Sequence, residues 1–236
     1  MVVEILFQEV CGLYGDSQNA TYLQACLPDA QFVFTKLTDV PYFVDNKPDF
    51  IYMGCMNEAI QRRVIAKLLP LKQRLAQLID EGVVFLATGN AGEVFSKQIE
   101  YVTEKIVTDA LGFFDLTAKT DLFNRYNGVV LGDFNELKIV GFRSQFSFLY
   151  GDNTDIAFIK CNRGIGINPK STLEGMRLNN LFCTQILGPI LPLNPLFCEY
   201  LLSLCGCDTT AAYREDAIAA YEQRLKEFQT AKESHA

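Results

Sequence analysis

Gly82-Val-Val-Phe-Leu-Ala-Thr-Gly-Asn-Ala-Gly-Glu-Val-Phe95 decides how the rest of this chain is read. Val83 to Ala87 is a short apolar run rich in β-branched residues, the pattern of a buried parallel strand. Thr88 to Gly92 is a tight turn of small residues, and Glu93-Val-Phe95 reads as the start of a helix. Strand, sharp turn and helix together make a nucleophile elbow, which holds one side chain above a sheet and over a helix N-terminus that favours negative charge. At the tip of this turn stands Gly89, which has no side chain. The sequence keeps the shape of a catalytic turn and lacks its reactive atom.

Working outward, Val2 to Phe7, Gln31 to Leu37 and Phe50 to Met53 read as strands ahead of the elbow. Asn19 is placed to cap a helix through Ala20 to Cys26. Ala59 to Asp80 reads as one long helix, or two divided near Pro70, with Gly82 as its C-terminal stop. Alternating strands and helices predict right-handed βαβ units and a parallel sheet. Beyond the elbow the texture changes: Gly112 to Leu116, Gly128 to Leu131, Glu136 to Phe142 and Ile156 to Cys161 read as shorter strands, partly antiparallel, joined by turn formers. Leu181 to Ile186 is a further strand, Pro195 to Leu204 a short helix and Ala211 to Lys232 a closing helix with Ile218, Tyr221, Leu225 and Phe228 on one side. The expected fold is a three-layer α/β/α arrangement with a mostly parallel central sheet and an antiparallel extension from the region near residues 112–161. One domain is expected over residues 1–236.

Composition narrows the function. The chain has 236 residues, 49% of them hydrophobic, and a formal net charge of −7. That charge disfavours nucleic-acid binding, which needs a basic face. No apolar run reaches the roughly 18 residues of a membrane span, and the start, MVVEILFQEV, lacks the basic region of a secretory signal. The eight cysteines read as reduced, buried small hydrophobes of a cytoplasmic protein. Cys205-Gly-Cys207 alone does not make a metal site, so neither metal nor cofactor is expected. The only histidine is His235, so a Cys–His or Ser–His pair would have to find its base at the terminus or do without one.

A set of short segments runs in one order along nearly the whole chain: Leu13-Tyr-Gly-Asp16 with Asn19, Tyr52-Met-Gly54 with Asn57-Glu58, Gly82 to Ala87, Asn124-Arg125, Val140-Gly-Phe142, Glu174-Gly175, Asn180-Leu-Phe182, Gly188-Pro-Ile-Leu191 and Asn194-Pro195. Together they resemble the class I glutamine amidotransferases of the cobyric acid synthase type, nearest the small glutaminase subunit of lipid II isoglutaminyl synthases, which serve peptidoglycan amidation. The resemblance implies a flavodoxin-like fold and a cysteine at the elbow, in a run like ICGGYQ, that attacks the side-chain amide of glutamine and releases ammonia. That position is Gly89 here. The family's histidine precedes a Gly-Pro pair, which places it at Leu187, and a GFENH-like segment falls at Gly141-Phe-Arg-Ser-Gln145, again without histidine. Gly54, Cys55, Asn90 and Arg125 are the expected ligand-binding residues.

Three functions stay open at this stage. One is a catalytically inactive amidotransferase-like subunit beside a Mur-ligase-like synthetase that uses ATP. Another is an active glutaminase with Cys55 as relocated nucleophile and Glu58 or Glu93 as base, although carboxylates push a thiol away from thiolate. The last is a stand-alone protein that holds a small glutamine-like ligand in the old pocket.

Overall fold

Five parallel strands set up the frame: β1 (Val2–Leu6), β2 (Gln31–Thr35), β3 (Phe50–Met53), β4 (Val84–Thr88) and β14 (Leu181–Thr184). In the computed structural model, which describes residues 1–230, they lie side by side in the order β14-β4-β3-β1-β2. A sixth strand, β13 (Met176–Leu178), adds antiparallel to β14. His235 and the last two residues expected in the closing helix lie outside the described residues.

Alternating side chains explain the layering, because successive residues of a strand face opposite sides. Leu6, Ile51, Met53, Phe85, Ala87, Leu181 and Cys183 face one side, where they meet Val64, Ile65 and Leu68 of α2 (Glu58–Leu68) and Leu75, Leu78 and Ile79 of α3 (Lys72–Asp80). Val3, Ile5, Phe50, Tyr52, Val84, Leu86 and Phe182 face the other side. There they meet α1 (Gln18–Cys26), α4 (Ile190–Leu193) and α5 (Pro195–Leu204). All five residues of β4 are buried because both its faces are covered. The result is the mixed α/β fold with a mostly parallel central sheet that the sequence implies.

Local chemistry sets the breaks. The Asn57 side chain accepts the Ile60 N–H at the start of α2. Pro70 lacks an N–H and sits in a 3₁₀ turn, Leu69–Leu71, that divides α2 from α3. Gly82 follows at φ +80°, a conformation that favours glycine.

The second half differs from the expectation in detail. Glu93 does not start an α-helix. Residues Gly89–Phe95 form a 3₁₀ turn that runs straight into β5 (Ser96–Tyr101), with the Ser96 hydroxyl bonded back to the Glu93 carbonyl at 2.7 Å. The strands after the elbow also form two four-stranded sheets of their own, antiparallel apart from the parallel β5–β7 pair. One holds β5, β6 (Ile106–Asp109), β7 (Phe114–Thr120) and β10 (Ser147–Tyr150); Ile99, Tyr101, Leu116 and Leu149 pack it on the α2/α3 side. The other holds β8 (Tyr126–Phe134), β9 (Leu137–Gln145), β11 (Ile159–Arg163) and β12 (Leu173–Glu174), and Val130, Phe134, Ile139 and Ile159 pack it on the α1/α5 side. The closing helix α6 (Arg214–Thr230) lays Tyr221, Leu225 and Phe228 on Leu131 and Val140.

Candidate functional site

Strands β3, β4 and β14 end side by side, so the turns that leave them meet at one edge of the sheet, where open α/β sheets bind ligands. Those turns are Gly54-Cys-Met-Asn57, Gly89-Asn90 and Gln185-Ile-Leu187. Gly89 takes φ +58°. A Cβ built there would lie 2.8 Å from the Cys55 Cβ, 2.9 Å from the Cys55 Sγ and 3.1 Å from the Leu187 Cδ2. Positions 55, 89 and 187 therefore share one small space, and no side chain fits at Gly89 while Cys55 holds its place.

The turns are fixed by a buried polar cluster beneath them. Asp16 is fully buried. Its Oδ2 accepts the Cys55 backbone N–H at 2.8 Å and the Thr88 hydroxyl at 2.5 Å, and its Oδ1 accepts the Asn19 side-chain amide at 2.8 Å. The Tyr52 hydroxyl donates to the Asp16 carbonyl at 2.8 Å, and the Asn19 Oδ1 accepts the Leu191 N–H at 2.9 Å. Asn19 is thus an interior residue of α1 that ties three elements together, and not the cap the sequence suggested; Ser17 takes the cap position. Burial pushes the Asp16 carboxyl up to about 6 against these donors. Gly54 lies behind the turn, where an added Cβ would come within 2.7 Å of the Cys11 carbonyl oxygen.

On the other side of the elbow, Glu93 is fully buried and makes no ion pair among the described residues. It accepts the Ser147 hydroxyl, the Gln185 amide at 2.6 Å and the Gln61 amide at 3.0 Å, and burial raises its pKa. The Asn90 side chain accepts the Met56 N–H at 2.9 Å and donates to the Met56 carbonyl at 2.7 Å. Glu174 and Arg143, both fully buried, pair at 2.8 Å. The Glu174 carboxylate also accepts the Thr184 hydroxyl and the Gln185 N–H, each at 2.9 Å, which holds the turn after β14 in place. Leu187 exchanges two backbone hydrogen bonds with Phe142, at 3.1 and 2.8 Å.

What remains open between these groups is a cavity of about 30 Å³. Cys55, Met56, Gly89 and Asn90 form one wall, Gln185 and Leu187 another, Ser144 to Ser147 a third, and Tyr14 and Glu58 the mouth. None of these residues is basic. The space holds about one water molecule, far below the ~300 Å³ of a small ligand pocket. Arg125 is exposed and stands at the rim: its guanidinium donates to the Ser144 hydroxyl at 2.7 Å and lies 5.6 Å from the centre of the Phe146 ring. Burial pushes the Cys55 thiol up to about 12, Asp16 adds to the rise, and the Asn90 backbone N–H works against it. A larger open cleft of about 590 Å³, between the ends of β1 and β2, shares none of these wall residues.

The sequence reading missed Gln61, Ser147 and Gln185 around Glu93; no local pattern marks them, because their partner lies far away in the chain. Among the described residues no cluster of His, Cys, Asp and Glu is arranged to hold a metal ion, and no helix is long and apolar enough to cross a membrane.

No family model matches this chain. Over 156 residues it is 26% identical to the GatD subunit of the glutamine-hydrolyzing lipid II isoglutaminyl synthase of Staphylococcus aureus (strain N315), a match over 65% of this chain and 62% of that protein. Two solved structures share the fold. One is PurLQS from Thermotoga maritima, with TM-score 0.54, 9% identity, and 95% of this chain and 98% of that one covered. The other is a glutamine amidotransferase, with TM-score 0.53, 11% identity, and 88% and 100% covered. The chain shares the fold of these two structures, one of them a glutamine amidotransferase, and its sequence is similar to that GatD subunit.

Proposed function

We propose that this chain is a non-catalytic, amidotransferase-like subunit of the cobyric acid synthase type that works beside a Mur-ligase-like synthetase in cell-wall peptidoglycan amidation. The observation that carries this reading is the packing at the elbow. Acyl transfer from glutamine needs a nucleophile on the turn and a proton carrier beside it. Gly89 offers neither thiol nor hydroxyl and has no room for a side chain, and the aliphatic Leu187 lies against it. The similarity to a synthase subunit supports the partner. The free cysteines support a reducing compartment, the cytoplasm.

One observation favours a second reading, the active glutaminase: the Cys55 sulfur lies 2.9 Å from where an elbow Cβ would stand. Its thiol, however, is pushed up to about 12. The titratable groups that face it are carboxyls, which oppose thiolate formation. The test is ammonia release from L-glutamine by the purified chain, alone and with a candidate synthetase. We expect none above the blank. A glutamine-dependent rate that Cys55→Ala abolishes would overturn the proposal in favour of the second reading.

A further inference from the structure

In the elbow of an acyl-transfer site, the backbone N–H of the residue after the nucleophile holds the developing oxyanion. Here that residue is Asn90, and its N–H faces the Cys55 sulfur. Two donors of the neighbouring turn are engaged as well. The Cys55 N–H is bonded to the Asp16 carboxylate and the Met56 N–H to the Asn90 side chain. The same sulfur and its Cβ fill the space above Gly89. Taking the non-catalytic reading above as its basis, we infer that the Cys55 side chain is a stopper: it stands where a ligand's carbonyl would lie and excludes amino-acid carboxamides from the pocket.

The cavity that Cys55 leaves, about 30 Å³, is too small for the end of a glutamine side chain, which brings a carbonyl carbon, an oxygen and a nitrogen. Cutting residue 55 back to glycine removes two heavy atoms from the wall. The opened space then holds a primary carboxamide, with Asn90 N–H as donor to its oxygen and the side-chain oxygen of Gln145, which lines the cavity, as acceptor for its nitrogen. The Gln145 Oε1 has no hydrogen-bond partner in the closed structure, and Gln145 is 7% exposed. The rest of the amino acid leaves through the mouth beside Tyr14 and Glu58.

The experiment is titration of the full chain with L-glutamine, followed by backbone amide NMR shifts, in the parent and in Cys55→Gly. The parent is expected to show no saturable shift. Cys55→Gly is expected to show saturable shifts centred on Asn90, Gln145 and Leu187. Saturable binding by the parent would overturn the stopper, as would a folded Cys55→Gly that shows no shift. A second arm covers a Cys55→Gly that does not fold: Gly89→Ala is made in the parent and in Cys55→Ala or Cys55→Gly, whichever folds. The strain of a side chain at φ +58° is the same in both backgrounds, whereas the clash with residue 55 is not. The structure predicts that Gly89→Ala raises the unfolding constant roughly tenfold more in the parent than in the shortened background. Equal effects would sink the inference. The two proposals fail separately: ammonia release by the parent defeats the non-catalytic reading, while glutamine binding by the parent without turnover defeats only the stopper.

Discussion

Asp16 makes the stability of this chain fall as pH rises through the weakly acidic range. The carboxyl is buried beneath the elbow, and its folded-state value of about 6 stands above the ordinary 3.8. Between these values the folded chain keeps a proton that the unfolded chain has already released. The unfolded state thus binds fewer protons, and stability decreases with rising pH across that window. The contribution is complete below about pH 4 and is lost as pH passes 6. A tenfold difference in proton affinity between the two states is worth ~1.4 kcal/mol. The gap from 3.8 to about 6 therefore amounts to on the order of 3 kcal/mol. The perturbation is Asp16→Asn, which keeps the shape and does not titrate. The assay is urea unfolding of parent and variant at several pH values from about 4 to 8, followed by circular dichroism. The unfolding free energy of the parent relative to the variant is expected to drop by roughly 3 kcal/mol from one end of the window to the other. Four donors, from Thr88, Cys55, Tyr52 and Asn19, favour the ionised carboxylate, and burial outweighs them. A difference that stays flat, or that rises with pH because the donors win, would refute this balance.

Two further outcomes are expected. Glu174→Ala leaves the Arg143 guanidinium buried without its partner and should cost about 3–5 kcal/mol in denaturant unfolding; adding Arg143→Met should recover most of it, and a Glu174→Ala loss below about 1 kcal/mol would show that the pair is not holding the turn after β14. Native titration with a bulky thiol reagent should modify Cys207 first and Cys205 more slowly, because burial pushes the Cys205 thiol up to about 12, with the six buried cysteines reacting after denaturation; fast labelling of Cys55 in the native chain would contradict its packing.

The parts of the fold that could be read early are those whose signal is local. Phe50–Met53 and Pro195–Leu204 fall where the pattern puts them, and Pro70 divides the long helix as a residue without an N–H must. The strand β5 went unread because Ser96-Lys-Gln-Ile-Glu-Tyr101 buries a serine, an isoleucine and a tyrosine in irregular order, and its partners are β6 and β7. The site divides in the same way. Gly89 and Asn90 were singled out from the turn after their strand, and Cys55 and Leu187 only through the resemblance; the three turns that carry them do meet. Glu93 was visible as a residue but not as the centre of a network, because Gln61, Ser147 and Gln185 reach it from three different elements. Asn19 looked like a helix cap because two of its partners, Tyr52 and Leu191, lie far away in the chain. Arg125 reaches the cavity only through Ser144 and Phe146.

The central claim, that the elbow of this amidotransferase-like chain carries no working nucleophile, is tested most directly by reaction with an electrophilic glutamine analogue such as a diazoketone. A catalytic thiol in such a site attacks the reagent and keeps it as a thioether. Intact-mass measurement after incubation of the native chain, alone and with its candidate synthetase, is predicted to show the unmodified mass. A single stoichiometric adduct that peptide mapping places on Cys55 would contradict the account.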